Sequence, residues 1–204
     1  LDSYFGGTSC LKVGTFVGYD WRGGSIENCY SNATIVGSIY CGGIVGETRG
    51  TISNCLYNGK IIAEGKSNAI ASDYKSYGKL TNCYYNENCG LSSDRATAVT
   101  AAQLSSGEVA YLLNGDQSAI AWYQNVDRGE KDNAPTLNSE HYRVYKGDNI
   151  YTNDLDKHSH VYNNGICDIC NKACTHGKYK NGICTYCEYG VEEPQLVGDY
   201  YEIA

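Results

Sequence analysis

Eight side chains near the carboxyl end carry the most specific chemistry in the sequence. His158-Ser-His160, followed after six residues by Cys167-x-x-Cys170, is answered by Cys174-Thr-His176, followed after seven by Cys184-x-x-Cys187. Both copies place Tyr and Asn-Gly-Ile just ahead of the first thiol of the Cys-x-x-Cys. Each copy therefore offers four soft or borderline donors: His158, His160, Cys167 and Cys170 in one, Cys174, His176, Cys184 and Cys187 in the other. Tetrahedral Zn²⁺ takes such a set, at ~2.3 Å to sulfur and ~2.1 Å to nitrogen. The Asn-Gly step suits a tight turn that brings the Cys-x-x-Cys into a clasp. Two structural zinc ions are expected. Residues 158–187 hold few aliphatic side chains and have too little apolar surface for a core. Structural zinc supplies ~10–16 kcal/mol of apparent binding energy, enough to decide folding.

Two rivals stand beside zinc. A disulfide framework leaves one of five tail thiols unpaired and gives no reason for His at matching positions. Redox Cys-x-x-Cys chemistry is the other. The ligands can pair sequentially, one unit per ion, or in a cross-brace joining 158/160 with 174/176; repetition of the whole unit favours the sequential form. The first unit carries His158 where the second has Cys174, so its coordination departs from the pattern. A closed ligand set leaves no position for water, so the metal is expected to be structural rather than catalytic. Residues 151–204 hold eight acids and four lysines, a local charge of −4, which disfavours nucleic acid as partner.

The rest of the chain must position this tail. It has 204 residues and a formal charge of −7, with 24 Gly, 20 Tyr and 2 Pro, a balance that favours short strands and turns over helices. No apolar run approaches the ~20 residues of a spanning helix, so no membrane insertion is expected. The chain begins at Leu1 with no apolar signal segment and reads as an excerpt of something longer.

Three segments repeat. Gly24-Ser-Ile-Glu-Asn-Cys-Tyr-Ser-Asn answers to Gly50-Thr-Ile-Ser-Asn-Cys-Leu-Tyr-Asn and Gly78-Lys-Leu-Thr-Asn-Cys-Tyr-Tyr-Asn, at spacings of 26 and 28. Between them run Gly14-Thr-Phe-Val-Gly, Gly42-Gly-Ile-Val-Gly and a weaker Ser67-Asn-Ala-Ile-Ala. A third apolar pulse, Thr34-Ile-Val and Lys60-Ile-Ile-Ala, follows each Cys. Three strand-length pulses per 26–28 residues predict a short parallel β-solenoid of about three coils stacked ~4.8 Å apart, each burying its neighbour's apolar face. Strict alternation puts Ile26, Ile52 and Leu80 on the face of Asn28, Asn54 and Asn82, with Cys29, Cys55 and Cys83 opposite; a turn or bulge at Asn-Cys would break that parity, so which group points inward stays open. The three Cys read as small buried hydrophobes, since parallel neighbours aim their Cβ atoms alike and not at each other. Cys83 and Cys89 form a candidate bridge across a turn, and the redox states of Cys10, Cys41, Cys83 and Cys89 stay open.

The Gly-Gly-Ile-Val-Gly and Gly-x-Ile-x-Asn-Cys-Tyr combination, over roughly residues 9–89, resembles the GLUG-type repeats of large bacterial surface proteins, especially from gut anaerobes. The third copy departs from it at Ser67-Asn-Ala-Ile-Ala. Ser106-Gly-Glu-Val-Ala-Tyr-Leu-Leu-Asn114 with Trp122-Tyr-Gln and Pro135 is similar to the segment that closes such arrays. The tail units resemble His/Cys units strung along the same proteins, and Val197–Ala204 reads as a strand opening a further array. The resemblance implies a secreted, cell-surface location, a structural or adhesive role, further repeats of the same chain on both sides, and a host or microbial glycan or protein as partner.

The expected organisation is a mainly β chain: solenoid repeats over 1–90, a helix-plus-strand cap over 91–150, tandem zinc units over 151–190, and a further segment over 191–204. In the cap, Ser105-Ser-Gly-Glu108 has capping-box spacing with Leu104 and Val109 as a staple, and Asn114-Gly115 stops the helix. Thr100-Ala-Ala-Gln103 starts a shorter turn. That helix is expected to lie across the open end of the last coil. Ala119–Gln124 and Tyr142–Tyr145 read as strands around an Asp132–Pro135 turn, and 147–157 as a linker. A carbohydrate-binding module using Trp122 and exposed Tyr is the alternative function, although a buried cap aromatic explains Trp122 equally well. A polysaccharide-active β-helix ranks third, because the row Glu27/Ser53/Thr81 lacks the clustered carboxylates that chemistry requires.

Overall fold

The computed structural model describes residues 4–72 and 78–155, and beyond them the strand residues 162–163, 166–167, 179–180, 183–184, 195–197 and 200–202. It is mainly β with parallel sheets, and it divides into two units, residues 1–154 and 155–204.

In the first unit the repeats become three layers. The first holds β1 (Tyr4–Gly6), β2 (Val17–Asp20), β3 (Ser25–Glu27) and β4 (Tyr30–Ser31); the second β5 (Thr34–Val36), β6 (Val45–Thr48), β7 (Thr51–Ser53) and β8 (Leu56–Tyr57). The third holds β9 (Lys60–Ile62), β10 (Lys79–Thr81) and β11 (Tyr84–Asn86). Corresponding strands pair in parallel and in register: β1-β5-β9, β2-β6, β3-β7-β10, and β4-β8-β11 extended by β12 (Thr97–Val99). Ile26, Ile52 and Leu80 fall opposite one another, as the repeat spacing requires.

The third copy pairs one residue away from its sequence alignment. Gly42 lies opposite Asn68 and Val45 opposite Ala71, and the amide of Ile44 donates to the Ile70 carbonyl at 3.0 Å. The true counterpart of Gly42-Gly-Ile-Val-Gly is therefore Asn68-Ala-Ile-Ala-Ser72, which keeps Ile against Ile.

Asn28, Asn54 and Asn82 adopt φ of +50°, +52° and +51°. Asn tolerates this left-handed conformation better than other side chains that carry a Cβ. The resulting turn resets the alternation, so Ile52, Cys55 and Cys83 share one core with Ile35, Ile44, Val45 and Ile70. Tyr57 and Tyr85 complete it. The Tyr57 ring lies flat on Gly43, where an added Cβ would stand 2.3 Å from a ring carbon. The first layer fills the equivalent space differently, with Thr15 and Ser31 hydrogen-bonded at 2.8 Å.

The other face of the β4-β8-β11-β12 sheet carries Tyr30, Leu56, Tyr84 and Val99, and a second apolar cluster forms there with Leu104, Val109, Leu113 and Trp122. These last four come from α1 (Ala101–Ser106), α2 (Glu108–Asn114) and the segment after them. The helices therefore lie along the flank of the layers, not across their end. The end of the third layer is met by residues 87–99, whose Cys89 and Ser92 carbonyls accept from the amides of Ile61 and Ala69.

The capping box is Thr100/Gln103 on α1, with both reciprocal bonds formed, and not Ser105/Glu108. Gly107, at φ +94°, ends α1 and starts α2 without a side-chain cap, which removes the expected box at Ser105. Gly115 closes α2, its amide donating to the Tyr111 carbonyl.

Tyr123 bridges Thr136 antiparallel, but β13 (Tyr145–Lys146) pairs with β14 (Tyr151–Thr152) rather than with the Trp122 segment. The expected linker is thus partly folded. Thr152 and Asn153 are buried, and Asn153 Nδ2 donates to the carbonyls of Gln124 and Arg143.

Among its described residues the second unit shows three antiparallel strand pairs: β15 (Tyr162–Asn163) with β16 (Ile166–Cys167), β17 (Tyr179–Lys180) with β18 (Ile183–Cys184), and β19 (Gln195–Val197) with β20 (Tyr200–Glu202), each a hairpin. The segment expected as a single strand over 197–204 is half of that last hairpin.

Candidate functional site

Of the eight expected zinc ligands, the structure describes Cys167 and the backbone of Cys184; His158, His160, Cys170, Cys174, His176 and Cys187 lie outside the described residues. The two tail hairpins have the same register. Tyr162 faces Cys167 as Tyr179 faces Cys184, leaving two residues, Asn-Gly in each, to connect the strands. Both hairpins place the first Cys of a Cys-x-x-Cys at the same register position, and Cys167 is fully buried. Among the described residues no group of three or more His, Cys, Asp or Glu side chains gathers as a metal site.

The layered unit holds a column of thiols. Cys29, Cys55 and Cys83 donate to the carbonyls two residues back, Glu27, Ser53 and Thr81, at 3.2, 3.1 and 3.3 Å. The Ser53 and Thr81 carbonyls also accept from the Asn28 and Asn54 amides of the neighbouring layer, so the thiol adds a second donor there and fills the space a small hydrophobe would. The hydrogen bond with Cys83 and then burial push the Cys55 thiol up; burial pushes Cys29 up as well. The same bond pulls Cys83 the other way, below the ordinary thiol value; Cys29 and Cys55 are unreactive by environment, and Cys83 is shielded by its burial. Cys83 and Cys89 are each unbridged, and Cys89 donates to the Leu91 carbonyl instead.

Beside the column runs an amide ladder. Asn82 Nδ2 reaches Asn54 Oδ1 at 2.8 Å and the Leu112 carbonyl at 2.9 Å. Asn28 Nδ2 donates to Gln117 Oε1, and Asn28 Oδ1 accepts from Trp122 Nε1. The ladder side chains are thus shared between layers and cap. Trp122 has no exposed surface and offers no platform to a sugar; it is a core residue.

Two features escaped the sequence reading. His141 Nδ1 lies 2.6 Å from Asp132 Oδ2, which also accepts from the Asn125 amide. Among the described residues no hydroxyl or thiol is bonded to this imidazole, so the pair fastens the loop between Asn125 and Tyr142. The row Glu27/Ser53/Thr81 is real, with Ser53 Oγ donating to Glu27 Oε1 at 3.1 Å, and it carries a single carboxylate.

The second feature is the corner between β2 and β3. Tyr19 and Trp21 are 39% and 57% exposed, with ring centroids 5.9 Å apart. They line an open cleft of about 430 Å³ with Val17, Ser25, Ile26 and Thr48. Lys12 Nζ sits 3.5 Å over Tyr19 and the Arg49 guanidinium 3.6 Å over Trp21. Asp20 ties the turn together, its carboxylate accepting from Gly23, Gly24 and Thr48 at 2.7–2.9 Å. The Gly24 amide foremost, then the Thr48 hydroxyl and the Gly23 amide, hold its pKa below the ordinary value. Trp21 has no helical or strand periodicity to mark it, and only its place between Asp and Gly-Gly signals an exposed turn.

Comparison with known proteins returns no match: no family model, no curated protein and no solved structure aligns with the chain significantly.

Proposed function

We propose that this chain is a structural and adhesive segment of a secreted bacterial cell-surface protein, built as a short β-solenoid of GLUG-type repeats, clasped along one flank by its cap and followed by a two-zinc module. The observation that carries this reading is the constant parallel register of three layers, with Asn and Cys recurring at the same turn in each. A stack in which each layer contacts only its neighbours is a quasi-one-dimensional spacer, and its length is set by the number of layers. Among the described residues, no titratable cluster with catalytic geometry competes with that role.

The tail supports the zinc reading through its donor chemistry. Two copies of a hairpin each place a cysteine at one register position; a second cysteine follows three residues on in both, and the other two donors precede the hairpin cysteine, with six intervening residues in the first copy and seven in the second. His158, His160, Cys167 and Cys170 would hold one ion, and Cys174, His176, Cys184 and Cys187 the other. Zinc so held substitutes for a hydrophobic core and performs no catalysis.

Antibodies raised against the layered unit test the location. They should label intact cells of the source bacterium, and brief external proteolysis should abolish the labelling. Signal seen only after lysis overturns the surface reading. Elemental analysis of the purified chain tests the metal: two zinc per chain are expected, and metal-free, disulfide-linked tail thiols refute the module.

A further inference from the structure

The corner between β2 and β3 is where the first layer departs from the second. Asp20 and Ser25 are separated by the four residues Trp21-Arg-Gly-Gly24, whereas their register partners Thr48 and Thr51 are separated only by Arg49 and Gly50. Two extra residues at fixed register form an insertion on the outside of the stack, and in repeat proteins such insertions gather on the binding face. The insertion is held firmly. Asp20 staples its base, and each aromatic ring is clamped on one side by a cation, Lys12 in turn standing 2.9 Å from the buried Glu47 carboxylate. Neither Lys12 nor Arg49 lines the cleft, so the ring surfaces that do are the ones the cations leave bare.

Polarity narrows the ligand. The Asp20 oxygens and the Thr48 hydroxyl are spent within the turn, since Thr48 also accepts from the Gly50 amide. Beyond Asp20 and Thr48, the polar residues lining the cleft are Arg22 and Ser25, and both side chains can donate. A flat apolar face edged with acceptor oxygens fits two fixed rings and a donor rim, and a pyranose ring has that chemistry. The net charge of −7 disfavours a nucleic acid, the other ligand that stacks on aromatic rings.

We propose that this cleft binds a polysaccharide through a pyranose ring laid on Trp21, with Tyr19, inclined at 58° to the indole, walling its edge and Arg22 and Ser25 donating to its oxygens. The proposal goes beyond the spacer reading and does not rest on it: a chain found away from the cell surface would lose that reading and keep this one.

Affinity electrophoresis of the full chain decides it, in gels containing neutral polysaccharides (xylan, mixed-linkage β-glucan, galactomannan) and acidic ones (polygalacturonate, alginate). Retardation is expected in at least one gel, with a loss of roughly thirtyfold in affinity for Trp21→Ala, as for truncation of an aromatic anchor. Arg49→Gln, which keeps the indole but releases it, should weaken binding several-fold. The buried Trp122 reports folding in the same samples, its emission staying blue-shifted in Trp21→Ala. Should that emission move to the red, Arg49→Gln alone decides. No retardation in any gel overturns the proposal. So does wild-type retardation in a folded Trp21→Ala, or an Arg49→Gln affinity equal to wild type when that variant decides. Retardation confined to acidic gels and abolished by salt also overturns it, since charge alone then accounts for binding.

Discussion

The indole nitrogen of Trp122 donates to the side-chain carbonyl of Asn28 at 3.1 Å, joining residues 94 positions apart. Asn28 belongs to the first layer, while Leu56 and Tyr84, packed in the same cluster as the Trp122 ring, belong to the second and third. One side chain therefore ties the cap to the whole stack. Trp122→Phe keeps most of the buried area but leaves the Asn28 oxygen unpaired, and it should cost about 1–2 kcal/mol. Trp122→Ala should cost about 3–5 kcal/mol. Denaturant unfolding followed by circular dichroism checks both, and a double-mutant cycle with Asn28→Ala should return a coupling of about 1 kcal/mol.

Gly43 and Tyr57 form a matched pair. Gly43→Ala would drive a methyl into the Tyr57 ring and should destabilise by about 1–3 kcal/mol. The first layer supplies the remedy, because its equivalent pair is Thr15 with Ser31. Gly43→Thr combined with Tyr57→Ser should be more stable than Gly43→Thr alone, as measured by thermal melting. A double variant no better than the single would show that the layers do not share this packing rule.

Thiol reactivity should sort by position. Cys10 is exposed, Cys29 half-buried, and Cys41, Cys55, Cys83 and Cys89 buried. Burial also pushes the Cys89 thiol up, further lowering its thiolate fraction near neutral pH. Alkylation of the native chain at pH 8, read by mass spectrometry, should modify Cys10 first and the four buried thiols only on unfolding. The proposed zinc module further requires that the tail thiols resist alkylation until a chelator is added.

Asp20 should make the corner acid-sensitive. Its folded-state pKa lies below the ordinary 3.8, so the contribution it makes to stability is full above that value and is lost as pH falls through the lower folded value. The stability difference between wild type and Asp20→Asn should be constant from neutral pH down to about 5 and shrink below 3.8. A difference that grows on acidification would reverse the sign and refute the stapling role.

The layered core was legible because its spacing recurs where chemistry demands it: Asn at a left-handed turn, Ile before it, a thiol after it. The register of the third copy is one residue away from its sequence alignment because Asn68, Ala69 and Ser72 stand where the second copy has Gly42, Gly43 and Gly46, leaving Ile70 as the one shared anchor. The flank position of the helices was not legible. It depends on Asn28, Asn82 and Trp122 meeting across long separations, and no local pattern encodes such bonds. Two capping boxes were available, and Gly107, free to take φ +94°, let the chain use Thr100 and break before Glu108. The Trp21 site was missed for a related reason: its two extra residues become visible only once β2 and β3 are aligned with β6 and β7.

That alignment shows where the chain tolerates a change of length. The offset between layers falls from 28 to 26 between Asp20 and Ser25, and it returns to 28 between Ala71 and Lys79, at the equivalent edge of the third layer. The other described ladders that join the three layers from Leu11 onward keep their count, and β12, which follows the third layer, pairs at a shorter separation. A stack that accommodates added residues at this vertex can be given new loops there without rethreading any strand, so the vertex is the natural place to graft a foreign epitope.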